Sequence, residues 1–505
     1  MRSLLDTGPA PFVPLSFNMA QHVLARSAAR APDKTALHIL SLDHSESWSY
    51  AQLEAAVLGV AAGLQERGLQ PGDRILMRLG SQIAFPLLFL GALAAGMVPV
   101  ATSAQLTQAE ITPMAARIAP RLIVASPGVA LPAGQTCPVL SDAELRAMEA
   151  CAPAAYHQGA ADRPGYIIFT SGTSGTPMAV VHAHRAILAR QTMHRAWEGL
   201  GESDRLLHAG AFNWTYTLGT GLMDPWTVGA TALIPATGVG PAHLGALLGD
   251  HHASLFAAAP GVFRQMLRTG LPALPHLRHG LSAGEKLSPE VRAGWTAATG
   301  TPLCEALGMS EISTFISESP ERPAPLGATG FLQPGRRIAA LGPDLLPVPR
   351  GTPGQLAIDR RDPGLMLGYL DAPEATAARL TPEWFLTGDS IRIDTSDAIT
   401  YLGRDDDQMN AGGYRVSPLE VEAAMARFPG LTETAVTEVE VKPGVTVIAC
   451  FYTAPDPCDP QALAAHAAAH LARYKQPRLF HHLPALPRGA NSKLNRRALR
   501  ALRLP

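Results

Sequence analysis

The chain has 505 residues, 47% of them hydrophobic, enough for about two to four domains and a large core. Its 41 basic and 42 acidic residues leave a formal net charge of −1, which argues against a nucleic-acid binder and a polybasic membrane binder. Cys137, Cys151, Cys304, Cys450 and Cys458 lack CxxC spacing, so neither a disulfide scaffold nor a zinc site is expected, and a reducing cytoplasm is. Residues 1–20 have no continuous apolar run and predict no signal peptide. The charge-free stretch Ile83–Ala101 is nearly long enough to span a bilayer, but Pro86, Gly91, Gly96 and Pro99 punctuate it. It predicts a buried helix running into a buried strand, and no membrane span. Apolar runs at 121–126, 230–236 and 253–260 read as buried strands, the last followed by a helix at 261–267. Their alternation with Ala-rich helical stretches predicts α/β layers with largely parallel sheets. Past residue 405 the texture changes. Helices at 418–428 and 460–474 flank two strands, 434–441 and 445–453, which meet at the turn signal KPG (442–444). A small α+β unit over 405–505 is expected behind a large α/β domain over 1–404, joined at the charged run GRDDDQ (403–408).

The stretch YIIFTSGTSGTPMAVVHAH, Tyr166–His184, begins as a buried strand and then opens into a loop of two glycines and five hydroxyl residues before Pro177. Such a loop offers many N–H and O–H donors and can wrap an anion. It is not a Walker sequence, because GK[ST] is absent. Further along, LGMSE (307–311) places a glycine before a hydroxyl and a carboxylate, and WFLTGD (384–389) delivers Asp389 at the end of a short apolar run. LGRDDDQ contributes Arg404, AGGYRVSPLEVE puts a Gly-Gly turn before a helix, and RGANSKLNRRALR isolates Lys493 in a basic stretch. Each alone reads equally as a turn, a capping acid or a solvated charge run.

Together, in this order, these motifs resemble the adenylate-forming superfamily of acyl-CoA synthetases, peptide-synthetase adenylation domains and luciferases. Within it, VHAHRAIL (181–188), residues 211–235, LSAGEKLSPEV (281–291) and EISTFISESP (311–320) look most like benzoate-type aryl-CoA ligases. The resemblance implies a carboxylate–CoA ligase using ATP, Mg²⁺ and coenzyme A on a small carboxylic acid, with a homodimer left open. By it, Thr170, Ser171, Gly172, Thr173, Ser174, Gly175 and Thr176 would cradle the phosphates. Ser282, Ala283 and Gly284, with Glu305, Ala306, Leu307, Gly308, Met309 and Ser310, would bind the nucleotide around an adenine slot. Glu311 would hold Mg²⁺, and Asp389 and Arg404 the ribose. Lys493 would bridge the carboxylate and the α-phosphate as a mobile point charge. The small domain would swing about Asp406, bringing Gly412 and Gly413 to line a tunnel for the pantetheine arm. The acyl pocket would be walled by Phe212, Trp214 and Tyr216 on an extended segment, with Ala283 and Gly284 opposite and Thr314 and Phe315 near its base.

The pattern departs in three places. Where the family's loop ends Pro-Lys-Gly, this chain has Pro177, Met178 and Ala179, so the lysine that faces the leaving phosphates is missing. Leu307 stands where an aromatic often stacks on adenine, and Asn410 where lysine is common. Two other functions therefore stay open: an adenylation enzyme loading a carrier protein, and a non-catalytic nucleotide-binding relative. His182, His184 and His194 cluster in sequence, but their spacing fits no common zinc pattern, and a packing or loop-orienting role is expected of His184. Cys304 reads as a buried small hydrophobe.

Overall fold

The computed structural model describes residues 1–43, 45–171, 177–284, 287, 289–404, 409–411, 414–416, 418–442, 444–487 and 496–502. For Ser171, Gly403, Arg404, Arg415, Leu419, Ala423 and Arg497 it describes the backbone alone. The fold is mixed α/β, a large N-terminal part followed by a smaller C-terminal one. Its N-terminal part is built on two sheets with parallel centres and antiparallel edges. In the first, Leu303–Met309, His279–Ala283, Leu255–Ala258, Arg205–His208, Thr231–Pro235 and Thr35–Leu40 run parallel. Ser313–Ser317 and Ser45–Ser49 pair antiparallel beyond them. In the second, Pro164–Ser171, Val98–Ala101, Arg74–Arg78, Leu122–Ala125 and Val139–Ser141 run parallel, and Pro177–Ala183 and Gly368–Tyr369 close the other edge antiparallel.

The helix Ala84–Ala94 is buried on every side, and the chain then enters the strand Val98–Ala101 inside the second sheet. This is the expected helix–strand element. Among the described residues no helix is long and apolar enough to cross a membrane. Tyr50–Glu66 packs against that helix and starts in a capping box: Ser49 Oγ accepts from Gln52 N–H at 3.3 Å, and the Gln52 side chain accepts from Ser49 N–H at 2.9 Å. Gln108–Ile118 starts the same way, with Thr107 and Glu110 as reciprocal partners. A third sheet, of Leu4–Asp6, Arg337–Leu341, Pro353–Asp359, Trp384–Ile393 and Ile399–Arg404, is antiparallel throughout.

After residue 408 the chain forms the hairpin Met409–Ala411 with Tyr414–Val416, the helix Pro418–Met425 and the strands Glu433–Lys442 and Val445–Thr453. The strand Leu479–His482 joins them, in parallel with Val445–Thr453. These elements enclose their own core of Met409, Val421, Met425, Val436, Cys450 and Leu463.

One expected element is different. Residues 211–218 are not extended: they turn at Phe212–Trp214 and enter a wide, π-type helical stretch over Thr217–Met223. Inside that wide stretch the Arg190 guanidinium lies against Gly219, where any Cβ would collide with it. Wide helical turns of this kind open room for such an inserted group.

Candidate active site

Parallel strands present their loops and free N–H groups at their carboxyl ends, where α/β sheets bind ligands. Here the carboxyl ends of both sheets border one cavity of about 120 Å³. Ala101 and Thr170 come from the second sheet, and Ala283, Gly284 and Met309 from the first. Gly308, Ser310, Ser313 and Thr314 add the Leu303–Ser317 hairpin, and Trp214 and Tyr216 the turn before the π-type stretch. Tyr216 is fixed by its hydroxyl, which donates to Leu281 O at 2.9 Å, and Trp214 packs edge-on against it at 5.1 Å.

The carboxylate proposed to bind the metal is built for a further ligand. Glu311 follows the cavity wall directly and is buried. Tyr369 Oη donates to its Oε1 at 2.8 Å, while Oε2 has no hydrogen-bond partner among the described residues. A buried carboxylate oxygen left unpaired is costly unless a cation or donor completes it. The turn that carries Glu311 is braced by His182, whose Nε2 lies 2.7 Å from Ser310 O and whose ring stacks on Tyr166 at 4.8 Å. Burial pulls the His182 pKa down to about 4, so the ring is neutral and Nε2 donates. The three neighbouring histidines thus go to three places. His184 Nδ1 accepts from Met19 N–H at 3.0 Å, a packing role, and His194 Nε2 sits 3.3 Å from Asp224 Oδ1.

Other expected residues fall behind or beside the cavity. Ser282 pairs in register with Glu305 and Ala283 with Ala306, and the buried Ser282 Oγ has no hydrogen-bond partner among the described residues. Leu307 packs against the main core. Asp389 and Arg404 pair in register across two antiparallel strands, with the Tyr401 hydroxyl 3.3 Å from Asp389 Oδ1, and Asp389 does not line the cavity. Phe212 and Phe315, expected in the acyl-pocket wall and base, are instead in the core. Phe212 stacks on Phe85 at 4.9 Å, and both are at most 2% exposed. The turn conformation of 211–214 removes the two-residue alternation that put Phe212 beside Trp214. Gly172–Thr176, Asp406, Gly412, Gly413 and Lys493 lie outside the described residues.

The sequence reading missed the contribution of the C-terminal part. Tyr414, Glu420, Tyr474 and Lys475 also line the cavity. Tyr414 stacks on Trp214 at 6.2 Å and on Tyr474 at 4.0 Å. Lys475 Nζ is buried between Glu420 at 2.5 Å and Glu110 at 3.3 Å, and Glu110 Oε1 also accepts from Ala472 N–H at 3.0 Å. Burial opposes the charge on Lys475, but Tyr474, Glu420 and Glu110 outweigh it and raise its pKa. The only sequence signal was an aromatic-lysine pair ahead of Pro477, which names no partner.

Beside the cavity floor runs a second buried network. Arg190 donates to both oxygens of Asp224, at 3.1 and 2.5 Å, and to Ser313 Oγ. His194, Glu198 and Asp224 bring donor atoms within 4.8 Å of one another.

A cleft at the carboxyl ends of two α/β sheets, closed by a small α+β unit, is the architecture of the adenylate-forming enzymes. The model of the AMP-binding enzyme family matches residues 24–370 and that of the AMP-binding enzyme C-terminal domain residues 420–493, and the chain belongs to this family. It is 29% identical to a benzoate–CoA ligase of Thauera aromatica, with 98% of each chain covered. The structure of a benzoate CoA ligase from Burkholderia xenovorans LB400 superposes with a TM-score of 0.72 at 28% identity, covering 96% of this chain and 100% of that one. A double mutant of o-succinylbenzoate CoA synthetase from Bacillus subtilis, bound with its product analogue, superposes with a TM-score of 0.83 at 21% identity, covering 96% and 98%.

Proposed function

We propose that the protein is an ATP-dependent carboxylate–CoA ligase acting on a small aromatic, cyclic or short-to-medium-chain acid. The observation that carries the reading is the cavity, which gathers Thr170, Ala283, Gly284, Gly308, Met309 and Ser310 beside the unpaired oxygen of Glu311. In the first step a carboxylate oxygen attacks the α-phosphorus of ATP. That O–P bond forms, the bond to the bridging oxygen breaks, and pyrophosphate leaves with the electron pair. In the second step the CoA sulfur attacks the acyl carbon, the C–S bond forms, and AMP leaves as the C–O bond breaks, the thiol proton passing to solvent. Thr170 and the loop that follows it hold the phosphates, and Asp389 with Arg404 the ribose. Glu311 fits a Mg²⁺ ligand, and the bound ion would offset phosphate charge and orient the leaving group. We place the domain boundary between residues 404 and 405. The five cysteines are all unpaired, which supports a reducing, cytoplasmic setting.

The acid is read from size. A cavity of about 120 Å³ is close to the ~150 Å³ that accommodates benzene. Trp214 and Tyr216 limit its depth. Benzoate-like or short acids should outcompete palmitate by about a hundredfold or more in kcat/KM, and Trp214→Ala should extend the range toward longer acids. A panel of acids with ATP and CoA measures both, and equal turnover of benzoate and palmitate by the wild type defeats the substrate reading. Loading of a carrier protein is separated by the same panel, since it predicts no CoA-dependent release of AMP.

The docked position of the small unit fits the second half-reaction, because Tyr414, next to Gly412 and Gly413, lies at the cavity. Lys475 and Glu110 hold that position across the two parts. Glu110→Gln should slow thioester formation from presynthesised acyl-adenylate by about fivefold or more while sparing carboxylate-dependent pyrophosphate exchange. Equal slowing of both steps would mean that the contact serves stability alone.

A further inference from the structure

Met178 stands where the resemblance implies a lysine facing the leaving phosphates, and the structure brings a cation to it from elsewhere. Arg117 lies in the last turn of the helix Gln108–Ile118, three residues beyond Met114, which lines the cavity. Residues three apart share a helix face, so Arg117 and Met114 address the same side. Its Nη1 donates to Pro177 O at 2.9 Å and touches Met178 Sδ at 3.7 Å. Pro177 is itself part of the cavity wall, and Met178 pairs in register with Thr170, another wall residue. Arg117 is half-buried, and among the described residues no carboxylate pairs with it and neither Nε nor Nη2 makes a hydrogen bond. The neighbouring cations are already neutralised: Lys475 by Glu110 and Glu420, Arg190 by Asp224, Arg185 by Asp162.

We propose that Arg117 is the phosphate-binding cation of this enzyme, replacing from a neighbouring helix the lysine absent at Met178 and holding the terminal phosphates of ATP and the departing pyrophosphate. The inference rests on the ligase reading for its nucleotide. One nitrogen anchors the fork to the Pro177 carbonyl, and the remaining N–H groups are left for an anion. Fork geometry suits the task, because arginine reaches two phosphate oxygens at once where lysine offers a single point charge.

The test measures binding of ATP, pyrophosphate and AMP by calorimetry, with no acid or CoA present, for wild type, Arg117→Gln, Arg117→Lys and the double variant Arg117→Gln/Met178→Lys. Glutamine keeps a donor for Pro177 O but removes the charge. Arg117→Gln should weaken ATP and pyrophosphate about tenfold to a hundredfold and leave AMP unchanged, with an unaltered Tm. Arg117→Lys should retain most of the affinity, and the lysine at 178 should restore it in the double variant. Unchanged ATP affinity in Arg117→Gln, or equal weakening of AMP and ATP, overturns the assignment. A wild type that binds neither ATP nor AMP overturns the enzyme reading itself and this inference with it, whereas ATP binding without CoA-dependent AMP release leaves Arg117 to be judged on the nucleotide arms alone.

Discussion

Lys493→Ala is expected to lower carboxylate-dependent pyrophosphate exchange by about a hundredfold or more, the scale of a lost donor to developing negative charge. Thioester formation from presynthesised acyl-adenylate should survive. Bringing a carboxylate to ATP joins an anion to a polyanion, and a single mobile ammonium touching both is the cheapest way to lower that barrier. The anchor of the lysine's segment supports a departure between steps. Arg496, three residues on, donates to both oxygens of Glu422 at 2.7 and 2.8 Å, and Leu499 is buried against the strands behind. Glu422 stands two residues after Glu420, which lines the cavity. Two residues along a helix is more than half a turn, so the anchor lies on the face turned away from the cavity. On the proposed two-step reading, adenylation would require the small unit to reorient, and the second step would not need the lysine. Equal loss of both half-reactions in Lys493→Ala would refute this division.

The second large effect is on stability. Asp224→Ala should lower unfolding free energy by about 3–5 kcal/mol, because it strands the buried Arg190 guanidinium. Arg190 is 4% and Asp224 0% exposed, so the guanidinium left behind is cut off from bulk solvent. Burial pushes the Asp224 carboxyl up, but Arg190 and His194 outweigh it and hold it well below the ordinary value. Burial, and then the charge on Asp224, push the Glu198 carboxyl beside it well above its ordinary value. A depressed carboxylate contributes its stability above the unfolded-state pKa and loses it as pH falls. The Tm deficit of Asp224→Ala should thus be steady above about pH 5 and shrink below about pH 4. A thermal denaturation series across pH measures both, and a deficit under about 1 kcal/mol would mean that the network is solvated.

The alternation of apolar strands with Ala-rich helices made both large sheets legible, because buried parallel strands read as short continuous apolar runs. Thr170, Ala283, Gly284 and Gly308–Ser310, all of which line the cavity, were found through the resemblance of their motifs and not through any local pattern. Two things were not legible. The helical stretch that replaces the expected extended segment packs around Arg190 from a separate helix, at Gly219, Thr220 and Asp224, which local period cannot reveal. The arrangement of Lys475, Glu110, Tyr414 and Arg117 depends on contacts between parts of the chain far apart in sequence, 60 residues for Arg117 with Pro177, and charges of this kind look in sequence like any solvated surface.

The close approach at Gly308 sets limits on how this enzyme can be varied. A Cβ there would lie 2.5 Å from the Ser313 carbonyl oxygen and 2.7 Å from Thr314 Cα, and both are main-chain atoms that cannot move aside. One side of the cavity is consequently closed to diversification, whatever the selection applied. A combinatorial library aimed at new acids would be barren at Gly308 and fruitful at Asn213 and Trp214, where side chains rather than backbone define the space. Substrate range in this scaffold evolves from one wall.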